Sequence, residues 1–320
     1  MAKYNLPKKT KLKTVLICIL YHDNTIDLLS LINKIKLNIG SEILIIVDGK
    51  IFIKQKKKII KENKKVNFIY STSKNKTVPF NRNIGLKFAK NRHDLILYLD
   101  SDVIPEKNLI YSHLKYHKLY EEIPVIGGGV IPSFFKNRFN VWEMLDGCLS
   151  WFTSIKSNSN KIIKKPYHLP TCNLSIKIGF IYKHKIKFDE KLKTGEDVDF
   201  CNHIRNNGGN LLLIKDANVY HEDRKKFLLF MKHHISWGKH QYYTLYQKKF
   251  SFPYFKIIFF LFYPFFMPFI NLLSTFFTIL PWVRYRYVFV LLFVPTYIIH
   301  LIKGLFTYLE FFNFKKKINI

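Results

Sequence analysis

Short apolar runs alternate with longer amphipathic stretches in the N-terminal third of the chain. The runs Val15–Leu20, Ile43–Val47 and Leu95–Leu99 are bounded by polar residues, a pattern typical of buried parallel strands. Thr25–Leu37 and Asn81–Lys90 repeat apolar residues at helical spacing, which predicts two helices. Alternation of strand and helix predicts an α/β sheet with helices on its faces, and ligands that bind beyond the carboxyl ends of the strands.

The middle of the chain has a weaker pattern. Gly127-Gly128-Gly129 is followed by neither a helix start nor a Lys-Ser/Thr pair, so it does not match a phosphate-binding loop. We predict instead a strand edge or a close backbone contact at these glycines. The polar, basic segment Ser157–Lys165 is predicted to be a surface loop.

The C-terminal part is strongly apolar. Ile257–Trp282 contains no charged residue, and Tyr287–Phe312 forms a second apolar stretch after a short basic connection. We therefore predict two parts, an α/β domain at 1–250 and hydrophobic membrane helices at 251–320. The pattern allows two membrane spans or a hairpin embedded in one leaflet. The hairpin avoids placing Arg284 and Arg286 on an outer membrane face.

Composition changes this picture little. The formal net charge is +30, but lysine is spread along the chain and no nucleic-acid-binding motif accompanies it. We expect no nucleic-acid partner, whereas a basic face towards anionic lipid fits the charge. The four cysteines form no CxxC pair, which indicates reduced, buried thiols.

Acidic residues follow two of the predicted strands. Asp48 follows the second, and Asp100 and Asp102 follow the third. Residues i and i+2 of an extended segment face the same way, so Asp100 and Asp102 can approach one cation. Mg²⁺ and similar ions prefer such oxygen ligands and share them with substrate phosphates. Asp-x-Asp after a strand is also common in ordinary turns.

Two further segments carry candidate chemistry. Glu196 and Asp197 begin a predicted helix, where acidic residues are favoured by the helix dipole alone. One of these carboxylates can alternatively act as a general base towards an acceptor hydroxyl. His221 ends the short apolar run Val219-Tyr220-His221 and is either structural or the residue that completes a metal site.

Several motifs in this order resemble the family-2 glycosyltransferases, over roughly Lys13–Lys239. LILYLDSDVIP resembles the family's Asp-x-Asp metal motif, and Asn81-Arg82-Asn83-Ile84-Gly85 is similar to its Arg-Asn-x-Gly helix start. LPTCNLSIK resembles its acceptor-side Asn segment, and FDEKLKTGEDVDFCNHIRNNGGNLLLIKDANVYHED resembles its Gly-Glu-Asp stretch and the following His.

The resemblance implies a GT-A-like fold, which is a Rossmann-type mixed sheet flanked by helices, and an inverting transfer from a nucleotide sugar such as a UDP- or GDP-sugar. It implies catalytic roles for Asp197 as the general base and for Glu196 beside it. It implies that Asp102 binds Mg²⁺ or Mn²⁺ directly, with Asp100 and His221 contacting the metal or the donor. The remaining expected residues are Asp48, Arg82, Asn83 and Lys239 on the donor side and Asn173 on the acceptor side.

The Gln-x-x-Arg-Trp motif of processive synthases does not occur here, so we expect transfer of a single sugar. The expected acceptor is a lipid-linked sugar, a glycolipid or a polysaccharide precursor, with the enzyme on the cytoplasmic face of a membrane. Three alternatives remain open at this point. They are a polyprenyl-phosphate acceptor, a phosphoryl or nucleotidyl transferase, and a non-enzymatic basic membrane-binding module.

Overall fold

A computed structural model of the chain gives the fold. It describes residues 14–22, 28–35, 37, 40–51, 53–63, 65–71, 77–133, 140–154, 163–164, 166–241, 253–285 and 287–318. Part of the predicted first helix, at 25–27 and 36, lies outside the described residues, as do residues 157–162 and 165 of the predicted surface loop.

The described strands form one mixed sheet. They are β1 (Val15–Tyr21), β2 (Ser41–Val47), β3 (Val66–Tyr70), β4 (Leu95–Asp100), β5 (Val103–Pro105), β6 (Val125–Pro132), β7 (Ile163–Lys164), β8 (Asn173–Lys177) and β9 (Leu211–His221). The order is β3-β2-β1-β4-β8-β6-β9-β5, and β7 pairs with β9. The first four strands in this order are parallel, and β8 is antiparallel to both of its neighbours. The three strands predicted from apolar runs are β1, β2 and β4, so those predictions are confirmed.

Both faces of the parallel strands are covered, which explains their continuous apolar sequence. Alternate residues of β1 enter different cores, since Ile17 and Ile19 pack on one face while Leu16 and Cys18 pack on the other. The helices of the α/β part are α1 (Leu28–Lys34), α2 (Ile53–Glu62), α3 (Val78–Ala89), α4 (Leu109–Leu119), α5 (Val141–Trp151), α6 (Ile178–Lys183), α7 (Glu196–Asn206) and α8 (Phe227–Gln241).

The position of α3 determines part of the site. Thr77 caps the helix by accepting a hydrogen bond from the Phe80 amide, so the helix begins close to the predicted start. Gly85 lets α3 lie close to the sheet, because a Cβ there would stand 2.7 Å from Cys18 Sγ. The first turn of α3 therefore meets the carboxyl ends of β1 and β4, and the Tyr98 hydroxyl donates to the Arg82 carbonyl at 2.6 Å.

The triple glycine lies within β6, between β8 and β9, so the prediction of a strand edge was wrong. The predicted close backbone contact is present at Gly128, where a Cβ would stand 1.9 Å from the Ala217 carbonyl oxygen. Apolar flanks and three residues without side chains give no periodic signal, which is why the sequence did not reveal a central strand. The predicted loop Ser157–Lys165 also contributes β7, at Ile163–Lys164.

Two long helices follow the α/β part. They are α9 (Pro253–Tyr285) and α10 (Phe293–Ile318), joined by a short 3₁₀ helix at Tyr287–Leu292. Ile258–Arg284 and Phe289–Asn313 are long and apolar enough to be candidate membrane spans.

Candidate active site

Strand pairing brings two aspartates and a histidine together at one edge of the sheet. β4 ends at Asp100, and β5 begins only three residues later and pairs with the end of β9. In that register Val103 lies opposite His221, and the Glu222 amide donates to the Asp102 carbonyl at 3.1 Å. One ligand atom each from Asp100, Asp102 and His221 lies within 4.8 Å of the others. The structure thus brings together the three residues predicted to hold a metal.

The donor set fits a hard divalent cation. Asp102 Oδ1 is buried and makes no hydrogen bond to any described residue, which leaves a lone pair available to an ion. Two carboxylates and one imidazole suit Mn²⁺ or Mg²⁺ better than a soft metal. These three side chains would hold the ion, which would act as a Lewis acid on a diphosphate.

The charges in this cluster are concentrated. Burial raises the pKa of Asp100, Arg82 opposes that rise, and the neighbouring Asp102 adds to it. Burial lowers the pKa of His221, but Asp102, Asp223 and Asp100 outweigh burial and raise the pKa to about 10. Without a cation, the proton on His221 balances the charge of these carboxylates, and a bound cation would take over that role.

Asp223 and Trp151 support His221, and the sequence analysis did not single them out. Asp223 Oδ1 lies 3.3 Å from His221 Nδ1, on the side of the ring opposite Asp102. The Trp151 indole donates to the same carboxylate oxygen at 2.8 Å, and its ring packs on the His221 ring. A carboxylate behind a histidine fixes the orientation of a metal ligand. The spacing of His221 and Asp223, two residues apart on an extended segment, was the available signal.

A buried arginine connects the metal cluster to the start of α7. Arg82 pairs with Glu196 Oε1 and lies 3.7 Å from Asp100 Oδ1, with its side chain only 4% exposed. Its pKa is raised, because Glu196 and Asp100 outweigh the effect of burial. Arg82 therefore holds Glu196 close to Asp100, although Glu196 is far from both Arg82 and Asp100 in sequence.

Asp197 lies beside this arginine at the beginning of α7. Gly195 precedes the helix with φ +73°, a conformation that favours glycine. Asp197 is half-buried, and its Oδ1 accepts from the Val198 amide at 2.8 Å. Its charge acts on Arg82 and on His168, whose pKa burial lowers despite Asp197. Burial raises the pKa of the neighbouring Tyr167, with a smaller contribution from the charge of Asp197, and the sequence analysis singled out neither Tyr167 nor His168.

Asp48 lies at the end of β2, on the same edge of the sheet. The Asn81 side-chain amide donates to Asp48 Oδ2 at 3.0 Å, and a His22 ring nitrogen lies 2.7 Å from the Asp48 carbonyl. Asp48 is thus joined to the first turn of α3, which also carries Arg82.

Three predicted site residues have other contacts. Asn173 is fully buried and donates to the Gly129 and Ala217 carbonyls, so its side chain binds the sheet rather than facing an open surface. Asn83 exchanges hydrogen bonds with the Phe188 backbone at 2.9 Å. Lys239 lies in α8, with its ammonium 5.6 Å from the Phe306 ring centroid of α10.

Comparisons with known proteins agree with this architecture. Residues 27–182 match the model of Glycosyl transferase family 2. An alignment 194 positions long is 27% identical to the minor teichoic acid biosynthesis protein GgaB of Bacillus subtilis (strain 168), and it covers 56% of this chain and 19% of that protein. The chain thus spans about a fifth of this curated relative.

Solved structures show the same fold at low sequence identity. S. aureus TarS 1–349 is 14% identical with a TM-score of 0.50, over 70% of this chain and 65% of that chain. GalNAc-T7 with UDP, GalNAc and Mn²⁺ is 17% identical with a TM-score of 0.53, over 68% of this chain and 45% of that chain. The expected GT-A-like mixed sheet with flanking helices is confirmed.

Proposed function

Since this chain belongs to the family-2 glycosyltransferases, we propose that it transfers one sugar from a nucleotide diphosphate to an acceptor hydroxyl, with inversion at the anomeric carbon. The observation that supports this most is that one buried arginine, Arg82, joins the cluster of Asp100, Asp102 and His221 to Glu196, which directly precedes Asp197. A cation site for a diphosphate and a carboxylate for an acceptor proton lie on one edge of the sheet.

Each residue then has a role in one displacement. The acceptor oxygen attacks the anomeric carbon, the bond from that carbon to the phosphate oxygen breaks, and the nucleoside diphosphate leaves with the electron pair. Asp197 takes the proton from the acceptor hydroxyl. Arg82 holds Glu196 and Asp100 in position, and Asp48 lies where the nucleoside of the donor would bind.

The donor and the metal are proposed from the same geometry and from a fold neighbour. Asp100, Asp102 and His221 would hold Mn²⁺ or Mg²⁺, and the solved structure of GalNAc-T7 contains UDP and Mn²⁺. We propose a UDP- or GDP-sugar as the donor. Asn83 and Lys239, expected on the donor side, and Asn173, expected on the acceptor side, remain proposals as substrate contacts and have the structural contacts described above.

For the acceptor we propose a saccharide or lipid-linked precursor of a cell-envelope polymer. The likeness to a teichoic acid biosynthesis protein supports this class, as do the two apolar helices of the proposed region 251–320. Nucleotide sugars are cytoplasmic metabolites, so we place the proposed catalytic domain, 1–250, on the cytoplasmic face of the membrane.

A donor-hydrolysis assay tests the proposed reaction. We expect the full chain to hydrolyse one of a panel of UDP- and GDP-sugars slowly, and only with added Mn²⁺ or Mg²⁺. Asp102→Asn should abolish this activity and weaken metal-dependent donor binding while leaving the melting temperature nearly unchanged, because the Asp102 side chain is 39% exposed. Normal turnover of Asp102→Asn at limiting Mn²⁺ would contradict the metal site.

A further inference from the structure

The two C-terminal helices form an antiparallel pair. The Phe260 and Phe311 rings stack with centroids 4.3 Å apart near the open end. At the closed end, the ring centroids of Trp282 in α9 and Phe289 in the connecting 3₁₀ helix lie 5.3 Å apart. By length and composition both helices can cross a bilayer, and only 22% and 28% of their most apolar windows are buried within the protein.

The outer surface of α9 is a continuous apolar face. Phe262, Phe269 and Phe276 recur every seven residues, which places them on one side of the helix, and they are 54%, 69% and 51% exposed. Further exposed apolar residues of α9 are Ile258, Leu261, Phe265, Phe266, Leu272, Leu273 and Phe277. Apolar surfaces of this extent mark contact with protein partners or with lipid.

The opposite side of the pair is covered by the catalytic part. α8 runs alongside α10, because Phe230 shares a cluster with Ile299 near one end of α8. Near the other end, the Thr307 hydroxyl donates to the Gly238 carbonyl at 2.7 Å. A Cβ at Gly238 would stand 2.6 Å from the Lys303 carbonyl oxygen, so the two backbones are in direct contact.

This packing is incompatible with a membrane-spanning α10. α8 carries the exposed residues Lys232 and Lys239, which are costly to place in hydrocarbon, so the part of α10 beneath α8 cannot lie deep in a bilayer. Only residues 308–318 of α10 extend beyond Thr307, and at 1.5 Å per residue they cover about 16 Å. The hydrocarbon core of a bilayer is about 30 Å thick.

Lys303 supports the same conclusion independently. It lies near the middle of the candidate span Phe289–Asn313, where an ion would occupy the centre of a bilayer. Its ammonium is instead directed at α8, 5.1 Å from the Trp237 ring centroid. An apolar outer face on one side and a charged residue directed at a covering helix on the other fit a helix pair that lies along a membrane surface better than one that crosses it.

We propose that α9 and α10 lie within one leaflet, parallel to the membrane surface, with the outer face of α9 among the acyl chains and α8 at the level of the headgroups. The beginning of α8 continues this surface, since Phe227, Leu228 and Leu229 are 48%, 70% and 52% exposed. The exposed Lys225 and Lys226 precede them and suit anionic headgroups. Because α8 begins six residues after His221, this orientation puts the metal cluster beside the membrane surface.

The proposal concerns membrane geometry and is independent of which sugar is transferred. It is tested with the full chain in nanodiscs of phosphatidylcholine and phosphatidylglycerol. The native cysteines Cys18, Cys148, Cys172 and Cys201 are all buried, so a fluorophore will label an introduced cysteine selectively. Phe262→Cys, Phe269→Cys and Phe276→Cys are labelled one at a time, and quenchers attached at different depths of the lipid chains report the depth of each label.

We expect the three labels to lie at the same depth, below the headgroups and above the bilayer centre. A spanning α9 would instead separate successive labels by about 10 Å along the bilayer normal, because they are seven residues apart. That gradient would overturn the proposal, and so would quenching of all three labels by aqueous iodide.

Two further positions on α9 provide the same measurement if one of the Phe→Cys variants misfolds. Leu261→Cys and Leu272→Cys remove less side-chain volume and lie on exposed parts of α9, so they repeat the depth measurement. Leu228→Cys should lie at headgroup depth, shallower than the α9 labels. Leu119→Cys, 62% exposed at the end of α4, is the control that should be fully accessible to iodide. A Leu228 label as accessible as the Leu119 label would contradict the proposed position of α8.

Discussion

At the scale of single residues, the two neighbouring carboxylates at the start of α7 have different surroundings. Glu196 pairs with Arg82, and the side chains of both are largely buried. Asp197 is half-buried, and within the described residues its side chain accepts a hydrogen bond from the Val198 amide. Glu196 therefore has a structural partner, whereas Asp197 has the freedom that a proton acceptor needs.

This difference predicts that two conservative substitutions affect different properties, one the turnover rate and the other the stability of the fold. Asp197→Asn should lower kcat by ~10²–10⁴-fold with little change in donor affinity, as expected for loss of a positioned base. Glu196→Gln should destabilise the fold by about 3 kcal/mol, because it leaves the buried Arg82 charge incompletely paired. Donor affinity, kcat and melting temperature measured for both variants separate the roles.

Normal kcat in Asp197→Asn would exclude it as the base for a hydroxyl acceptor. That result would favour a phosphate acceptor, which arrives ionised and needs no base. Equal, small losses of stability in both variants, with kcat unchanged, would instead indicate that the acidic pair only supports the helix start.

The carboxylate behind His221 gives a second prediction at this scale. Asp223→Asn keeps the size of the side chain but removes the charge that orients the imidazole, so we expect Mn²⁺ affinity to fall ~10–100-fold. Trp151→Phe, which removes the 2.8 Å hydrogen bond to Asp223, should cause a smaller loss. Isothermal titration with Mn²⁺ in the presence of UDP measures both, and unchanged Mn²⁺ affinity in Asp223→Asn would show that Asp223 does not orient a metal ligand.

Sequence reasoning found the residues of the site more readily than their contacts. Asp100, Asp102 and His221 were predictable because each follows or ends an apolar run. The pairing of Arg82 with Glu196 joins residues 114 positions apart, and no local pattern reports such a contact. For Asn173 the motif suggested a contact with the acceptor, but its side-chain amide donates to two buried backbone carbonyls.

At the scale of elements, strands covered on both faces were predictable, and the edge elements were not. β2 is a run of apolar residues, whereas β3 at the edge is only partly buried. α2 is rich in lysine and buries a single residue, Ile59, so its periodicity is weak. The insertion of antiparallel β8 beside β4 depends on the order of strands in space, which alternation along the chain does not specify.

Helix α4 places a buried histidine under β8. His113 accepts or donates at both ring nitrogens, to Ser175 at 2.7 Å and to Asn173 at 2.9 Å. Burial lowers the pKa of His113 to about 4, although the hydrogen bond to Asn173 opposes this. The pKa values of His117, His233 and His234 are also lowered, with burial as the largest cause.

These histidines predict a loss of stability in mild acid. A histidine whose folded pKa is depressed stays neutral in the folded protein while the unfolded chain gains a proton below about pH 6.5. The stabilisation is therefore complete above pH 6.5 and is lost as the pH falls towards 4, by roughly 3 kcal/mol for His113 alone. Urea unfolding at several pH values gives the free energy of unfolding as a function of pH. Below pH 6.5 this free energy should fall less steeply with decreasing pH for His113→Gln than for the wild type. The same pH dependence in both proteins would mean that His113 is already charged in the folded state.

At the scale of the whole molecule, the catalytic part and the apolar tail share a core. Leu145, Leu149 and Phe230 pack with Ile279 and Trp282. The Trp282 indole is fully buried and donates to the Cys148 carbonyl at 3.0 Å. The sequence predicted a boundary near residue 250 from composition, but composition cannot show that α5 and α8 need the tail to cover their apolar faces.

Removal of the tail separates donor binding from membrane attachment. A chain ending at Phe250 keeps every predicted site residue, including Lys239, so we expect it to bind the donor with Mn²⁺ at near wild-type affinity in mild detergent. Without detergent or lipid vesicles it should aggregate, because Leu149 and Phe230 lose their cover. On anionic vesicles it should bind only at low salt, through the basic start of α8, whereas the full chain should stay bound at high salt. Flotation at two salt concentrations and thermal shift with the donor measure these outcomes. A truncated chain that binds no donor even in detergent would show that the tail is required to assemble the site itself.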